Sequence, residues 1–167
     1  MWLKLDIDGI IFHFRICDYR KSTEEWYDEW SSENLTLQSK SWLNYQINGA
    51  LLLTCEVEEL HEKIESLLTD KMVSVETMEC IEPDLTFVFQ PKQDLRNVDI
   101  GMELSIAFWN GGLMTANRLT IAFDRSDLEK MLCYLELIIG KKSKDDEMVK
   151  KMIKDGCLYG EVGGQVT

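Results

Sequence analysis

Features that mark several common protein classes are missing from this chain of 167 residues. No apolar run approaches the roughly 20 residues that a membrane-spanning helix needs, so we expect no membrane segment. The N-terminus carries Asp6 and Asp8 where a secretory signal would need an apolar stretch, so we expect a cytoplasmic protein. Five scattered cysteines without a C-x-x-C pair favour reduced, structural thiols over disulfides or a zinc site.

Histidine is scarce, because the chain has only two. His13 alternates with Phe12 and Phe14 on a strand pattern, which places it at the surface or an edge. His61 lies in a helical pattern, but the second histidine that a zinc-protease helix requires is absent. The chain also lacks a glycine-rich phosphate loop and a nucleophile with a nearby base. We therefore predict a protein that is not an enzyme, with no catalytic residue, no metal and no cofactor.

Positive charge is in the minority, with 18 Lys and Arg against 30 Asp and Glu and a net charge of −12. Such a field repels nucleic-acid phosphates and anionic membranes and attracts cationic proteins. We therefore expect no direct nucleic-acid binding and no membrane binding. Because so many carboxylates offer accidental pairs, a small acidic ligand-binding domain or a carboxylate-using hydrolase stays open as an alternative. An adaptor or regulatory subunit is a third possibility.

Negative charge is concentrated beside aromatic rings in residues 23–33, which we call the acidic–aromatic segment. This segment contains no lysine or arginine. Clustered carboxylates do not help folding, but they speed and orient the approach of a basic partner, and Trp and Tyr are common interface anchors. The alternative is an acidic turn whose rings fold back into the core. We predict partner binding by the anchors Trp26, Tyr27 and Trp30 and by the steering carboxylates Glu24, Glu25, Asp28, Glu29 and Glu33.

Residue periodicity predicts an α+β fold, with a mainly antiparallel sheet packed by two amphipathic helices. Alternating patterns predict strands over residues 3–7, 10–17, 35–38, 42–47, 50–54, 73–80, 85–90, 102–109 and 113–123, with turns at Asp8-Gly9, Asn48-Gly49 and Asn110-Gly111-Gly112. Helical spacing predicts one helix from an N-cap at Thr54 to Leu68. A second helix is predicted from a capping box at Ser126–Glu129 up to Gly140, with Asp124 as a cap at its start.

The domain organisation follows from these elements. We expect one α+β domain over residues 1–140, followed by a charged extension over residues 141–167 with a short helix at 147–154 and a flexible tail. The order of strand, Asn-Gly turn, strand and helix occurs over residues 42–68 and again over residues 108–139. This order indicates a weak internal repeat or two unrelated hairpin-plus-helix segments. The acids between residues 76 and 84 either extend the acidic surface or form a solvated strand face.

Three stretches of the chain resemble one family. They are residues 26–30, residues 81–85 with 91–95, and residues 102–110 running into 123–129. Together they are similar to the WapI-like immunity proteins, which are paired with bacterial wall-associated toxins of contact-dependent inhibition. The resemblance covers about residues 26–140. It implies a bacterial cytoplasmic protein of a polymorphic toxin system, which neutralises a cognate toxin C-terminal domain by stoichiometric binding.

The implied partner agrees with the charge of the chain. If the toxin is a nuclease, its cleft has to be basic in order to hold phosphates, and an acidic inhibitor can occupy such a cleft as a charge mimic. We therefore expect a basic toxin domain as the partner. The sequence leaves the toxin's activity, the oligomeric state and the choice between direct plugging and remote inhibition open.

Overall fold

The computed structural model describes residues 1–21, 29–82, 84–93, 98–110 and 113–161, without the side chains of residues 109 and 110. The strands in this part of the chain are β1 Trp2–Ile7, β2 Ile10–Ile16, β3 Trp30–Ser39, β4 Leu43–Leu53, β5 Glu76–Glu79, β6 Leu85–Gln90, β7 Gly101–Asn110, β8 Leu113–Phe123 and β9 Leu158–Tyr159. The helices are α1 Thr54–Leu68, α2 Arg125–Ile138 and α3 Glu147–Lys154.

The strands form two antiparallel sheets, in the orders β4-β3-β2-β1-β9 and β5-β6-β7-β8. This arrangement confirms the predicted α+β class. Each half of the chain is an antiparallel meander followed by a helix, since β1–β4 precede α1 and β5–β8 precede α2. No helix among the described residues is long and apolar enough to cross a membrane.

A single hydrophobic core joins the two halves. The inward positions of α1 are fully covered, with Val57, Ile64 and Leu67 at 0% exposure, as their helical spacing predicts. Phe12 of β2 meets Phe123 of β8 edge to face, with ring centroids 5.2 Å apart. Aromatic contacts of this kind add to the burial of apolar area that stabilises both sheets together.

The predicted turn at Asn48-Gly49 is wrong. β4 runs without interruption from Leu43 to Leu53, and Asn48 and Gly49 face Asn34 and Glu33 of β3. The chain reverses instead at residues 40–42, where Lys40 has a positive φ of 34°. Backbone pairing along the ten residues of β3 outweighs the turn preference of one Asn-Gly pair. The first unit of the proposed repeat therefore lacks its Asn-Gly turn, although both halves do end in a hairpin followed by a helix.

The predicted N-cap of α1 is wrong, whereas the predicted cap Asp124 of α2 is confirmed. Leu53, not Thr54, is the N-cap of α1, and its backbone N–H donates to the Glu56 carboxylate at 2.8 Å. The cap of α2 is Asp124, whose carboxylate accepts from the N–H of Asp127 at 2.9 Å. The Ser126–Glu129 box is therefore displaced by two residues, because Asp124 offers a carboxylate acceptor directly before the first helical turn.

The segment after α2 folds against the rest of the protein. α3 has the predicted bounds, and β9, which was not predicted, pairs with β1 through Trp2 and Tyr159 and through Leu3 and Leu158. Val149, Met152 and Leu158 lie in the shared core. The predicted tail beyond residue 161 lies outside the described residues. Whether residues 1–140 fold as a domain without this segment stays a prediction.

Candidate partner-binding surface

The predicted binding residues fall into three groups in the structure. Glu24, Glu25, Trp26, Tyr27 and Asp28 lie outside the described residues. Glu29 is exposed, and Trp30 begins β3 opposite Leu53 with 42% of its surface accessible. Glu33 is buried. The structure therefore leaves Glu29 and Trp30 as described surface members of the predicted site.

Described residues on both sides of the undescribed stretch 22–28 contact α1. On the N-terminal side, the Tyr19 hydroxyl donates to Glu58 Oε1 at 2.6 Å. On the C-terminal side, the Glu29 carbonyl accepts from the backbone N–H of Thr54 at 2.9 Å and from its hydroxyl at 2.8 Å. Because Thr54 and Glu58 are one helical turn apart, the two anchors stand side by side on the first turns of α1.

The outward face of α1 adds carboxylates to this region. Glu58 is half-buried, while Glu59, Glu62 and Glu65 are exposed. Lys63 pairs with Glu59 at 3.4 Å and with Glu76 at 2.9 Å, which leaves Glu62 and Glu65 without an ion pair among the described residues. The sequence analysis did not assign this row of exposed glutamates, the acidic ridge, to the site. The helical spacing of these glutamates opposite the apolar stripe of α1 was a usable signal.

Glu33 corrects the prediction of an outward set of steering carboxylates. Its exposure is 1%, and its Oε2 accepts from the backbone N–H groups of Leu51 at 2.8 Å and Leu52 at 3.2 Å. Ser31 Oγ contacts its other oxygen. Burial raises the pKa of Glu33 to about 6, against the opposing effect of these hydrogen bonds. Glu33 alternates in phase with Leu35 and Leu37, so the inward side of β3 receives all three.

The acids between residues 76 and 84 contribute less surface charge than their number indicates. Glu76 is paired with Lys63, and Asp84 is buried at 8% exposure. Glu79 is exposed and Glu82 is half-buried. Any extension of the acidic surface along β5 therefore consists of these last two side chains.

A second group of carboxylates lines a cleft of about 210 Å³ where the β1–β2 turn meets the start of α2. Asp6 Oδ1 accepts from the Gly9 N–H at 2.9 Å, which closes the turn. Asp124 and Asp127 exchange backbone and side-chain hydrogen bonds in the α2 cap, and Lys130 stands 3.8 Å from Asp127. Turn and cap chemistry explain this cluster without a substrate.

Residues 3–141 match the immunity protein WapI-like family. The chain belongs to this family. The match runs from β1 through α2 and confirms the resemblance predicted from the sequence. No curated protein matches the chain. An immunity protein neutralises a toxin, so the acidic surface beside α1 belongs to a chain whose family acts through a toxin partner.

Proposed function

We propose that this protein is a cytoplasmic immunity protein that binds a basic toxin domain and neutralises it stoichiometrically. The docking surface consists of the acidic–aromatic segment without the buried Glu33, together with the outer face of α1. Membership of the family carries the proposal of a toxin partner. The contacts of Tyr19 and Glu29 with α1, on either side of the undescribed residues 22–28, support the location.

The charge of the surface determines the kind of partner. Glu29, Glu62 and Glu65 are exposed carboxylates, so their field reaches into solvent and speeds the encounter with a cationic protein. A standard interface buries about 800 Å² on each partner. The 15 residues of α1 span about 22 Å along one side of the proposed surface.

A nuclease is the toxin class that suits this surface best. Its cleft must carry positive charge in order to hold a phosphate backbone, so an acidic ridge of exposed carboxylates can occupy the cleft in place of the nucleic acid. Trp30, which lies opposite Leu53 at the start of α1 and is 42% exposed, supplies an aromatic anchor. In this proposal inhibition is direct, because the same surface that attracts the toxin also covers its active cleft.

Capture from the native host, followed by kinetics with the captured toxin domain, tests the function. A variant with Glu24, Glu25, Asp28 and Glu29 changed to their amides should associate about tenfold more slowly at low salt, with a flatter salt dependence, because steering acts on the encounter rate. A control changes four exposed acids outside this surface to amides and thus alters the net charge equally. These control residues are Glu129, Asp145, Asp155 and Glu161.

The control separates a local docking surface from the overall charge. If both variants slow association equally, net charge steers the toxin and the assigned surface is wrong. If the variant changed at Glu24, Glu25, Asp28 and Glu29 associates like the wild type at all salt concentrations, the acidic–aromatic segment has no part in steering. If a captured partner is not a toxin, the proposed function itself fails.

A further inference from the structure

A cleft of about 260 Å³ lies beside the proposed docking surface, between the middle of α1, the end of α2 and the stretch that follows β2. The residues that line it are two glutamates, two lysines, one histidine, one tyrosine and one isoleucine. They are Tyr19, Lys21, Glu58, His61, Glu62, Ile139 and Lys141. Lys21 directly precedes the undescribed residues 22–28, so the cleft adjoins the N-terminal anchor of the acidic–aromatic segment.

His61 provides this cleft with an unused polar atom. The residue is only 1% exposed, and its Nε2 is buried without a hydrogen-bond partner among the described residues. Buried polar atoms are almost always partnered in folded proteins, so an orphan of this kind marks a place for a ligand group. Burial, aided by Lys141 and opposed by Glu65, Glu136 and Glu62, lowers the pKa of His61. The ring is therefore neutral at pH 7, and one of its two nitrogens has a lone pair that can accept a hydrogen bond.

Glu58 and Glu62 supply further acceptors on the same side. They are four residues apart on α1, a spacing at which like charges repel each other and destabilise a helix. Tyr19 donates to Oε1 of Glu58, and the second oxygen of this carboxylate takes no part in that hydrogen bond. Burial and the hydrogen bond raise the pKa of Tyr19, so the phenol keeps its proton. A cation in the cleft would relieve the repulsion between these two carboxylates.

We propose that the cleft receives an arginine side chain of the toxin, with Glu58, Glu62 and His61 accepting its hydrogen bonds. The inference rests on the proposed function and names the group that the docking surface recognises. A planar guanidinium carries five N–H donors in a fork that can serve several acceptors at once, which the ammonium of lysine cannot match. Ile139 and the ring of Tyr19 form walls for its apolar stem.

Lys21 and Lys141 also line the cleft and repel a cation. Both are exposed, so solvent screens their charges and their long side chains can turn outward. Substitutions that remove a negative or a positive charge from the cleft should therefore have opposite effects on guanidinium binding. Removing a carboxylate should weaken guanidinium binding, whereas removing a lysine should strengthen it.

Titration of the full-length protein with methylguanidinium chloride, followed by NMR of the histidine rings, tests the assignment. The His61 signals should move in a saturable way, while those of His13 on the opposite face of β2 from Phe12 and Phe14 should not. Sodium chloride at equal ionic strength provides the salt control. Glu62→Gln should raise the dissociation constant for methylguanidinium by roughly two- to fivefold, and Lys141→Gln should lower it by a similar factor. Glu129→Gln, at an exposed position outside the docking surface, should leave it unchanged.

Two results would overturn the proposal. One is a His61 signal that responds to sodium acetate and not to methylguanidinium, with weaker binding in Lys141→Gln, since the cleft would then hold an anion. The other is a His61 signal that responds to neither probe. Because no toxin takes part in this titration, its failure removes the arginine assignment alone, whereas failure to capture a toxin removes the proposed function.

Discussion

The starts of α1 and α2 are capped by the same kind of hydrogen bond, but the capping acids differ in their further partners. In each helix the acid at the third position, Glu56 or Asp127, accepts from the backbone N–H of the N-cap residue. Glu56 also accepts from the N–H of Ile81 at 2.7 Å, which ties α1 to the other half of the chain just before β6. Asp127 finds its further partner in Lys130 of its own helix. The Glu56 carboxylate at the start of α1 thus links the two halves of the chain, whereas the Asp127 carboxylate at the start of α2 contacts residues of its own helix and cap.

This difference separates two uses of negative charge in one acidic chain. Glu33 and Glu56 are buried at 1% and 6% exposure and satisfy backbone N–H groups. Their charges lie near Cys80, whose pKa is raised first by burial and then by these acids. Glu62 and Glu65, six and nine residues after Glu56 on α1, point outward. Local sequence alone makes the two sets look alike, but only the outward set can act on a partner.

The largest expected effect on stability comes from removing the Glu56 carboxylate that links the two halves. Glu56→Ala removes the acceptor of two backbone N–H groups, those of Leu53 and Ile81, and should lower the free energy of unfolding by about 3 kcal/mol. Chemical denaturation measures the loss. Glu65→Ala, at an exposed position of the same helix, should change the free energy by less than about 0.5 kcal/mol. Equal effects of the two substitutions would show that Glu56 does not hold the halves together.

The pH dependence of stability should reveal the buried Glu33. Its pKa is about 6 in the folded protein against an ordinary 4.5, so the folded state binds the proton more tightly than the unfolded state. Its contribution is therefore fully present below pH 4.5 and is lost as pH rises to 6, by about 2 kcal/mol. Glu33→Gln should remove this part of the slope and leave a variant that is more stable than the wild type at pH 7.

Hydrogen bonding explains why glutamine should fit at residue 33. Ser31 Oγ contacts Glu33 and also donates to the Leu52 carbonyl at 2.9 Å, yet a hydroxyl has one hydrogen. A protonated carboxyl or an amide can donate to Ser31 and resolve this shortage. Denaturation curves from pH 4 to pH 8 provide the measurement, with Glu62→Gln as the exposed control. A slope that persists in Glu33→Gln would assign the titration to another group.

The smallest effect is expected at the local cap of α2. Asp124→Ala removes the acceptor for the N–H of Asp127 and should cost about 1 kcal/mol, since only the first turn of one helix loses a partner. Thermal or chemical unfolding of this variant, compared with Glu56→Ala, checks the ranking. A loss as large as that in Glu56→Ala would abolish the distinction between the two helix starts.

Strands and helices were predictable where the spacing of apolar residues in the sequence matches the face that is buried in the structure. β6 at Leu85–Gln90 and α3 at Glu147–Lys154 have the bounds that the sequence predicts. The Asn48-Gly49 turn failed because pairing with β3 depends on residues some 14 positions away, which a local turn preference does not include. Glu33 was misassigned because its charge received more weight than its phase with Leu35 and Leu37.

The amino-acid sequence by itself determined the family, the α+β class, the two long helices and the excess of negative charge. These features depend on residue type and short spacing, which a linear chain displays directly. The tertiary structure decided which acids are buried, how β9 joins β1 and how His61 comes to line a cleft with Tyr19 and Ile139. Each of these depends on contacts between residues far apart in the chain, which form only when both sheets close around one core.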